Sequence, residues 1–336
     1  MVSEFIREVT ERLSLPQGRR VGQPGHEVAR RYLLELMTDM QLRPFRDHSS
    51  LELKFQKDGV DFCNLVGVVP GRDSKLPPLL IGAHYDSFIN GPSSDDNATA
   101  VAVTLAVAKK VLPEQLERDL VIAVFDSEEP PHFLTETMGS KRFVEDHCQG
   151  FTFAAAIIMD LIGHDVELAL PNAERFTNLL AVMGCESQPI LPGIVEAAAA
   201  TTSDLSVIAT LNETIGDMSD HHAFRLRDVP YLFLSCGQGK YYHTRQDDLR
   251  WINFDKVTAT ARFVEKLIHG IDAQSSAETC RAKEHDPYRF EITRLEKVFG
   301  PMLQAISKQL SLSWPLQSRQ DIDAIIGFLR GTVFEL

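Results

Sequence analysis

Five segments of the chain place histidine or carboxylate side chains at the ends of apolar runs. They are His84-Tyr85-Asp86, Asp95-Asp96-Asn97, Asp126-Ser127-Glu128-Glu129, Asp160 and His243. Imidazole nitrogens and carboxylate oxygens without thiolates are typical of a catalytic zinc site that keeps a position for water. Neighbouring carboxylates can divide the work, one binding metal while the other transfers protons. Together the segments predict a metal-dependent catalytic centre.

Each segment also has an ordinary structural alternative when it is considered alone. A histidine at a strand end can cap a loop, an aspartate can cap a helix, and paired glutamates can be solvated charge. The metal interpretation of His84 gains support from Asp86, because residues two apart on a strand share a face. A metal-binding histidine usually donates its second ring N–H to a carboxylate, so Asp86 is a candidate partner of His84.

These polar segments follow short apolar runs that predict buried strands at 78–83, 120–125, 153–159 and 230–234. Two further strands are predicted at 51–55 and 62–69, and helical periodicity occurs at 5–13, 22–42, 98–111 and 254–271. Alternating strands and helices predict an α/β fold of three layers, with helices on both faces of a central mixed, largely parallel sheet. Ligand chemistry collects at the ends of such strands.

The pattern changes at two places, which suggests how the chain is organised. Residues 164–218 show a helical pattern at 173–183 and a small-residue stretch at 196–203, but no strong strand pattern, as in an insertion beside the site. Residues 273–287 are polar and predict a linker, and 288–336 predict two helices separated by Trp314 and Pro315. We therefore expect a catalytic domain over 1–272 and a linker with a helical C-terminal extension over 273–336, for packing or for partner contact.

Composition and charge exclude several classes of protein. Among the 336 residues, 47 Asp and Glu outweigh 34 Lys and Arg, which argues against a nucleic-acid or anionic-membrane partner. No apolar run reaches the roughly 18 residues of a membrane span. The charged amino terminus lacks the apolar core of a secretory signal, which predicts a cytoplasmic protein. Five widely spaced cysteines without a CxxC pair predict free thiols.

The order of seven motifs resembles that of the co-catalytic zinc aminopeptidases related to aminopeptidase S, whose superfamily also contains the glutaminyl cyclases. The matching segments are GAHYDS (82–87), SSDDNATA (93–100), VFDSEEP (124–130), MGSKRF (138–143), IIMDLIG (157–163), SDHHAF (219–224) and YYHTRQDD (241–248). The resemblance covers residues 18–272 and implies a zinc exopeptidase-like fold.

The resemblance also implies roles for individual residues. It implies five ligands for two zinc ions, namely His84, Asp96, Glu129, Asp160 and His243. Asp96 would bridge the two ions, and Glu128 would be the general base. Asp86 would be the outer partner of His84. The Asp220-His221 pair would lie near the site without binding zinc.

This chain departs from the family pattern after the glutamate pair. Pro130-Pro131-His132 and a longer loop replace the usual small residues, so we expect a changed substrate pocket. Phe133 either lines that pocket or packs within the loop. The further histidines His132, His164 and His222 are expected not to bind metal, because the ligand set is complete without them.

The function implied by the resemblance is hydrolysis of the N-terminal peptide bond of peptides with a free N-terminus. One alternative is a glutaminyl-peptide cyclotransferase that uses a single zinc ion, although Asp96-Asn97 favours the dizinc branch. A second alternative is a non-catalytic binding domain on the same fold, which commonly loses ligands or the base. By analogy, a homo-oligomer could restrict access to such a peptidase.

Overall fold

The computed structural model describes residues 2–167, 175–274 and 286–333, which contain eleven strands, ten α-helices and three further short helical turns. The strands are β1 (Arg43–Pro44), β2 (Glu52–Lys57), β3 (Val60–Val69), β4 (Leu79–His84), β5 (Leu120–Phe125), β6 (Ala155–Met159), β7 (Val166–Glu167), β8 (Arg175–Phe176), β9 (Leu179–Met183), β10 (Ser206–Ala209) and β11 (Tyr231–Ser235). The helices are α1 (Val2–Leu13), α2 (Pro24–Asp39), α3 (Thr99–Val111), α4 (Gly139–His147), α5 (Leu191–Ala200), α6 (Asn212–Ile215), α7 (His221–Arg225), α8 (Phe254–Asp272), α9 (Pro287–Gln309) and α10 (Arg319–Val333).

Nine strands form one mixed sheet in the order β1-β3-β5-β4-β6-β11-β9-β10, with β2 paired to β3. Its centre is parallel, because β4 pairs in parallel with β5 and β6, and β6 pairs in parallel with β11. These four strands are buried along their whole length, which explains why the sequence reads there as unbroken apolar runs. The predicted α/β class with a mixed central sheet is confirmed.

Helices cover both faces of the sheet, and the pleat divides each strand between two cores. On β4, Leu79 and Ile81 pack with α1, α3 and α8 on one face, whereas Leu80 packs on the other face with Phe143 of α4 and Phe224 of α7. This alternation is the period of two expected of a strand. The small residues of α3 let that helix lie deep between α1, α8 and the sheet.

The helix predicted over 173–183 is wrong. Residues 173 and 174 lie outside the described residues, and Leu179–Met183 is strand β9, which pairs antiparallel with β11. A short apolar run such as LLAVM does not distinguish helix from strand by periodicity, and pairing with the edge of β11 that β6 leaves open decides the outcome. Because β10 follows in parallel beside β9, segment 164–218 contributes two strands to the sheet. The domain boundary at 272 stays a prediction.

The two helices predicted around Trp314 and Pro315 are present as α9 and α10, called the C-terminal helix pair below. They form a third apolar cluster against β9 and β10, with Phe299 and Leu303 from α9 and Ile322 and Ile325 from α10. Most of the predicted linker, residues 275–285, lies outside the described residues.

None of the helices in the described ranges combines the length and apolar character needed to cross a membrane. The cysteines at 63, 148, 185 and 236 are free thiols, as predicted, whereas Cys280 lies outside the described residues.

Candidate metal centre

Adjacent strands deliver the predicted ligands to one edge of the sheet. His84 is the last residue of β4, Asp160 follows β6 directly, and Glu128 and Glu129 lie in the loop after β5. Because β5, β4 and β6 are parallel neighbours, their carboxyl ends meet at the same edge. All four side chains are buried.

Asp96 and His243 reach the same place from two loops. Asp96 lies in a short helical turn at Ser94–Ala98 that leads into α3, and His243 lies in the loop after β11. The turn is held by Asp247, whose carboxylate accepts the backbone N–H groups of Asp95 at 2.9 Å and Asp96 at 3.0 Å. Sequence analysis missed Asp247, although it is the first of the two aspartates that end the YYHTRQDD motif.

The five predicted ligands form two clusters that share Asp96. In one, His84 Nε2 lies 3.4 Å from Asp96 Oδ1 and 3.5 Å from Asp160 Oδ1. In the other, His243 Nε2 lies 3.3 Å from Asp96 Oδ2 and 3.0 Å from Glu129 Oε2. Within each cluster the ligand atoms lie within 4.8 Å of one another, as the donors of one metal ion do. The two oxygens of Asp96 therefore face two separate sites.

Several donor atoms in these clusters are buried and make no hydrogen bond among the described residues. They are both ring nitrogens of His84, Nε2 of His243 and Oδ1 of Asp160. Buried polar atoms without partners are costly, and buried carboxylates need a cation. Burial raises the pKa of the carboxyl groups of Glu129 and Asp160, and the neighbouring Asp96 carboxylate adds to the rise. The residues therefore fit metal ions, and their oxygen and nitrogen donors suit zinc.

Asp86 and Glu128 lie beside the clusters. The Asp86 carboxylate lies 3.4 Å from His84 Nδ1 and accepts the backbone N–H groups of Glu128 at 3.0 Å and Glu129 at 3.1 Å. Glu128 belongs to neither cluster, and its Oε2 lies 3.8 Å from His84 Nε2. Burial raises the pKa of the Glu128 carboxyl well above its usual value, with the carboxylates of Asp160 and Glu129 adding to the rise.

Asp95 and Asp126 belong to the segments that predicted the catalytic centre, but they hold loops in place and lie outside both metal clusters. Asp95 accepts the backbone N–H of Gly163 at 2.6 Å and contacts His164 Nδ1 at 2.5 Å. Asp126 contacts His26 Nε2 at 2.7 Å and accepts the backbone N–H of Cys63 at 2.7 Å. Their carboxylates are thus already used for structural contacts.

The extra histidines also lie outside the clusters. His132 Nδ1 contacts Thr137 Oγ1 at 2.9 Å, and His222 Nδ1 contacts Asp217 at 2.8 Å.

Asp220 is fully buried near Ser140, and burial raises its pKa to about 7. His221 stacks on Phe233 at 4.1 Å between ring centroids.

Arg19 is a fully buried cation that sequence analysis missed. Its guanidinium donates hydrogen bonds to backbone carbonyls on three segments that surround the clusters, those of Leu13, Tyr85, Pro92, Ser93 and Asp96. The Tyr85 carbonyl lies between His84 and Asp86, so Arg19 ties one ligand segment to the other. An Arg19-Arg20 pair in a sequence reads as exposed charge, and nothing local signals burial.

A cavity of about 470 Å³ opens from the metal clusters. Asp96, Glu128, Glu129 and Asp160 line one end of it, and Pro130 and Phe133 from the loop after β5 line its side. Phe133 therefore lines the cavity, which is one of the two placements expected from the sequence. The remaining wall is mostly apolar, with polar side chains from Thr210, Ser235, Gln238 and Tyr242.

Comparison with known proteins locates the chain in a family. The family model described as Peptidase family M28 matches residues 64–268. That range contains both metal clusters, Asp86 and Glu128, and leaves out Arg19 and the C-terminal helix pair.

Curated relatives align over part of the chain. It is 26% identical over 221 residues to the uncharacterized protein YfbL of Escherichia coli, covering 57% of this chain and 67% of YfbL. It is 22% identical over 216 residues to aminopeptidase YwaD of Bacillus subtilis, covering 61% of this chain and 44% of YwaD. The chain thus spans less than half the length of YwaD.

Solved structures share the fold. The LapA aminopeptidase of Legionella pneumophila superposes with a TM-score of 0.63 at 16% identity, covering 82% of this chain and 72% of LapA. A glutaminyl cyclase of Porphyromonas gingivalis gives the same TM-score of 0.63 at 18% identity, covering 82% of this chain and 97% of the cyclase. The fold alone therefore does not separate the two activities.

Proposed function

Since the chain belongs to peptidase family M28, we propose that it is a dizinc aminopeptidase that hydrolyses the N-terminal bond of peptides with a free N-terminus. The observation that carries the proposal is the pair of clusters sharing Asp96, each completed by one histidine and one further carboxylate. Two ions held side by side are suited to hydrolysis, because both the carbonyl and the attacking water can be activated.

Glu128 is proposed as the general base. Zinc bound in the clusters would supply Lewis-acid polarisation of the scissile carbonyl and lower the pKa of the attacking water. The Glu128 carboxylate would take the proton from that water and pass it to the leaving amine. Burial raises the pKa of the Glu128 carboxyl, which makes its carboxylate a stronger proton acceptor for the first of these steps.

Asp86 is proposed to position both the loop that carries Glu128 and Glu129 and the ring of His84. By accepting the N–H groups of Glu128 and Glu129, it fixes the loop that carries the base and one ligand. Its position 3.4 Å from His84 Nδ1 would orient that ring towards the metal.

Recognition of a free amino terminus follows from the charge at this end of the cavity. Of the four carboxylates that line it, Asp96, Glu129 and Asp160 would offset the charge of the zinc ions, and Glu128, which lies in neither metal cluster, is left to attract an ammonium group. A blocked terminus lacks this charge, so we expect selectivity for unblocked peptides.

The test combines zinc content, determined by elemental analysis, with hydrolysis of leucine anilide and N-acetyl-leucine anilide. We expect two zinc ions per chain and hydrolysis of the unblocked anilide alone. One zinc ion, no anilide hydrolysis and release of ammonia from a glutaminyl peptide would replace the proposal with the cyclase alternative. A chain that binds no zinc would point to the binding domain.

A further inference from the structure

The C-terminal helix pair reaches the cavity at the metal clusters, although it lies outside the residues that the family model matches. Seven of its residues line the cavity, together with Leu316 from the connection between the helices, and all eight are apolar, among them Leu295, Phe299 and Met302 of α9 and Ile322 and Ile325 of α10. The charged residues that line the cavity, within the described part of the chain, are the four carboxylates at the metal clusters. The cavity thus combines an acidic part at the metal clusters with an apolar wall on the helix pair.

Buried polar contacts fix the helix pair on the sheet. Glu291 is 1% exposed and accepts hydrogen bonds from Thr210 Oγ1 at 2.9 Å and from the backbone N–H of Leu211 at 3.2 Å. Arg294 donates to the carbonyl of Val207 at 3.0 Å and pairs with Glu196 at 2.9 Å. Directional contacts of this kind set one position of a helix on a sheet, so the helix pair forms a defined wall.

The chemistry of an amino-terminal residue matches this division of the cavity. Its α-amine and its carbonyl flank a single carbon, so both remain at the acidic end when the carbonyl lies at the metal clusters. The side chain is the group on that carbon that is left to enter the apolar part. Ile215 and Met218 line the cavity while 41% and 44% exposed, which marks its side open to solvent, where the rest of a peptide can leave.

We infer that the C-terminal helix pair is a specificity-determining element, whose apolar wall selects peptides with a large apolar amino-terminal residue. This inference rests on the proposed aminopeptidase function. Burying a leucine or phenylalanine side chain against this wall is favourable, whereas a lysine or aspartate side chain would lose its hydration there without a partner.

The test uses two wall variants, Met302→Ala and Phe299→Ala, which remove apolar side chains that line the cavity. The control is Leu310→Ala, which truncates an apolar residue of the third apolar cluster that does not line the cavity. For each protein, kcat/KM is measured on leucine anilide and alanine anilide. We expect the leucine-to-alanine ratio to fall about tenfold in the two wall variants and to hold in Leu310→Ala. Thermal unfolding of each variant checks that it is folded.

Binding of n-alkylamines by calorimetry, from propylamine to octylamine, tests the wall without turnover. In the wild type and in Leu310→Ala, we expect affinity to rise about fourfold per methylene group. In the two wall variants we expect a shallower rise. Equal slopes and equal anilide ratios in all proteins would overturn the inference while leaving the proposed function in place. Failure of the wild type to hydrolyse either anilide would refute the proposed function, and the amine series would then decide on the wall alone.

Discussion

Two adjacent glutamates at the end of β5 have different surroundings and therefore different expected roles. Glu129 lies 3.0 Å from His243 within one metal cluster, whereas Glu128 belongs to neither cluster and its Oε2 lies 3.8 Å from His84 Nε2. Division of labour between neighbouring carboxylates is a common way to combine metal binding with proton transfer.

Replacing Glu128 with glutamine is expected to lower kcat for leucine anilide by about 10²- to 10⁴-fold, because the amide cannot accept the proton of water. Zinc content, determined by elemental analysis, should stay at the wild-type value, since Glu128 is not in a metal cluster. Glu117→Gln, at an exposed residue paired with Arg72, is the matched control and should keep full activity. A Glu128→Gln protein with wild-type kcat would rule out the general-base role.

The five ligands could be predicted because the strand and helix patterns of the sequence identify their positions in the fold. Each follows a recognisable strand or precedes a recognisable helix, and parallel strands must end at one edge. Arg19 and Asp247 were not predictable in this way. Their side chains bind backbone groups of distant segments, and those contacts exist only after the loops have packed.

At the scale of elements, the loops that carry the ligands are held in position by charged side chains that hydrogen-bond to their backbone groups. Arg19 joins the end of α1, the segment after β4 and the turn before α3 through carbonyl groups. The same charge lies near Asp96 and Asp86, where it offsets part of the carboxylate repulsion.

Arg19→Leu is therefore expected to lower the free energy of unfolding by about 3 kcal/mol or more, because several buried carbonyls lose their donor at once. Urea denaturation of the metal-free protein measures this change. Arg20→Leu changes the neighbouring, exposed arginine and should alter stability by less than about 0.5 kcal/mol. Similar midpoints and slopes for the two variants would show that Arg19 does not hold the loops.

The turn from α6 to α7 is organised by Asp217. Its carboxylate accepts hydrogen bonds from Arg225 at 2.7 Å and from Asn212 at 3.0 Å, and contacts His222 at 2.8 Å. Although partial burial opposes ionisation, these bonds hold the pKa of Asp217 below its usual 3.8. A carboxyl group with a lowered pKa stabilises the fold above its unfolded-state pKa, and this contribution is lost as pH falls through the folded-state value.

Asp217→Asn is accordingly expected to cost about 2 kcal/mol of unfolding free energy at pH 7. The difference from the wild type should shrink as pH falls below 3.8, where the wild-type carboxyl becomes protonated in the unfolded state. Denaturation curves at several pH values measure it. A difference that is constant between pH 7 and pH 3 would contradict this assignment.

The strand β9 was predicted as part of a helix, although the same sequence patterns predicted the central strands correctly. LLAVM is apolar throughout, so its periodicity does not distinguish a strand from a helix. The antiparallel edge of β11, and the helix pair packed against β9, supply the information that fixes it as a strand. Both partners lie far along the chain.

At the scale of the whole molecule, acidic charge is concentrated where metal is expected. The chain carries a formal net charge of −13, and Asp86, Asp96, Glu128, Glu129 and Asp160 are all buried at one sheet edge. Such a cluster repels itself until cations occupy it. The cytoplasmic location and the homo-oligomer stay predictions.

Removing zinc with a chelator is expected to lower the thermal midpoint, and adding zinc back should restore it. A ligand at 100 times its Kd stabilises the folded state by about 2.7 kcal/mol per site. His222→Ala, outside the clusters, should keep this response, and Asp96→Ala should lose it because both clusters lack their shared ligand. A zinc response in Asp96→Ala equal to that of the wild type would place the metal elsewhere.

The most direct test of the central claim is a mass spectrum of the products formed from two peptides that differ only in their first residue, leucine or glutamine. The zinc-loaded protein should release the free first amino acid from the leucine peptide and leave the rest of the chain intact. Loss of ammonia from the glutamine peptide, with the leucine peptide unchanged, would contradict the aminopeptidase proposal.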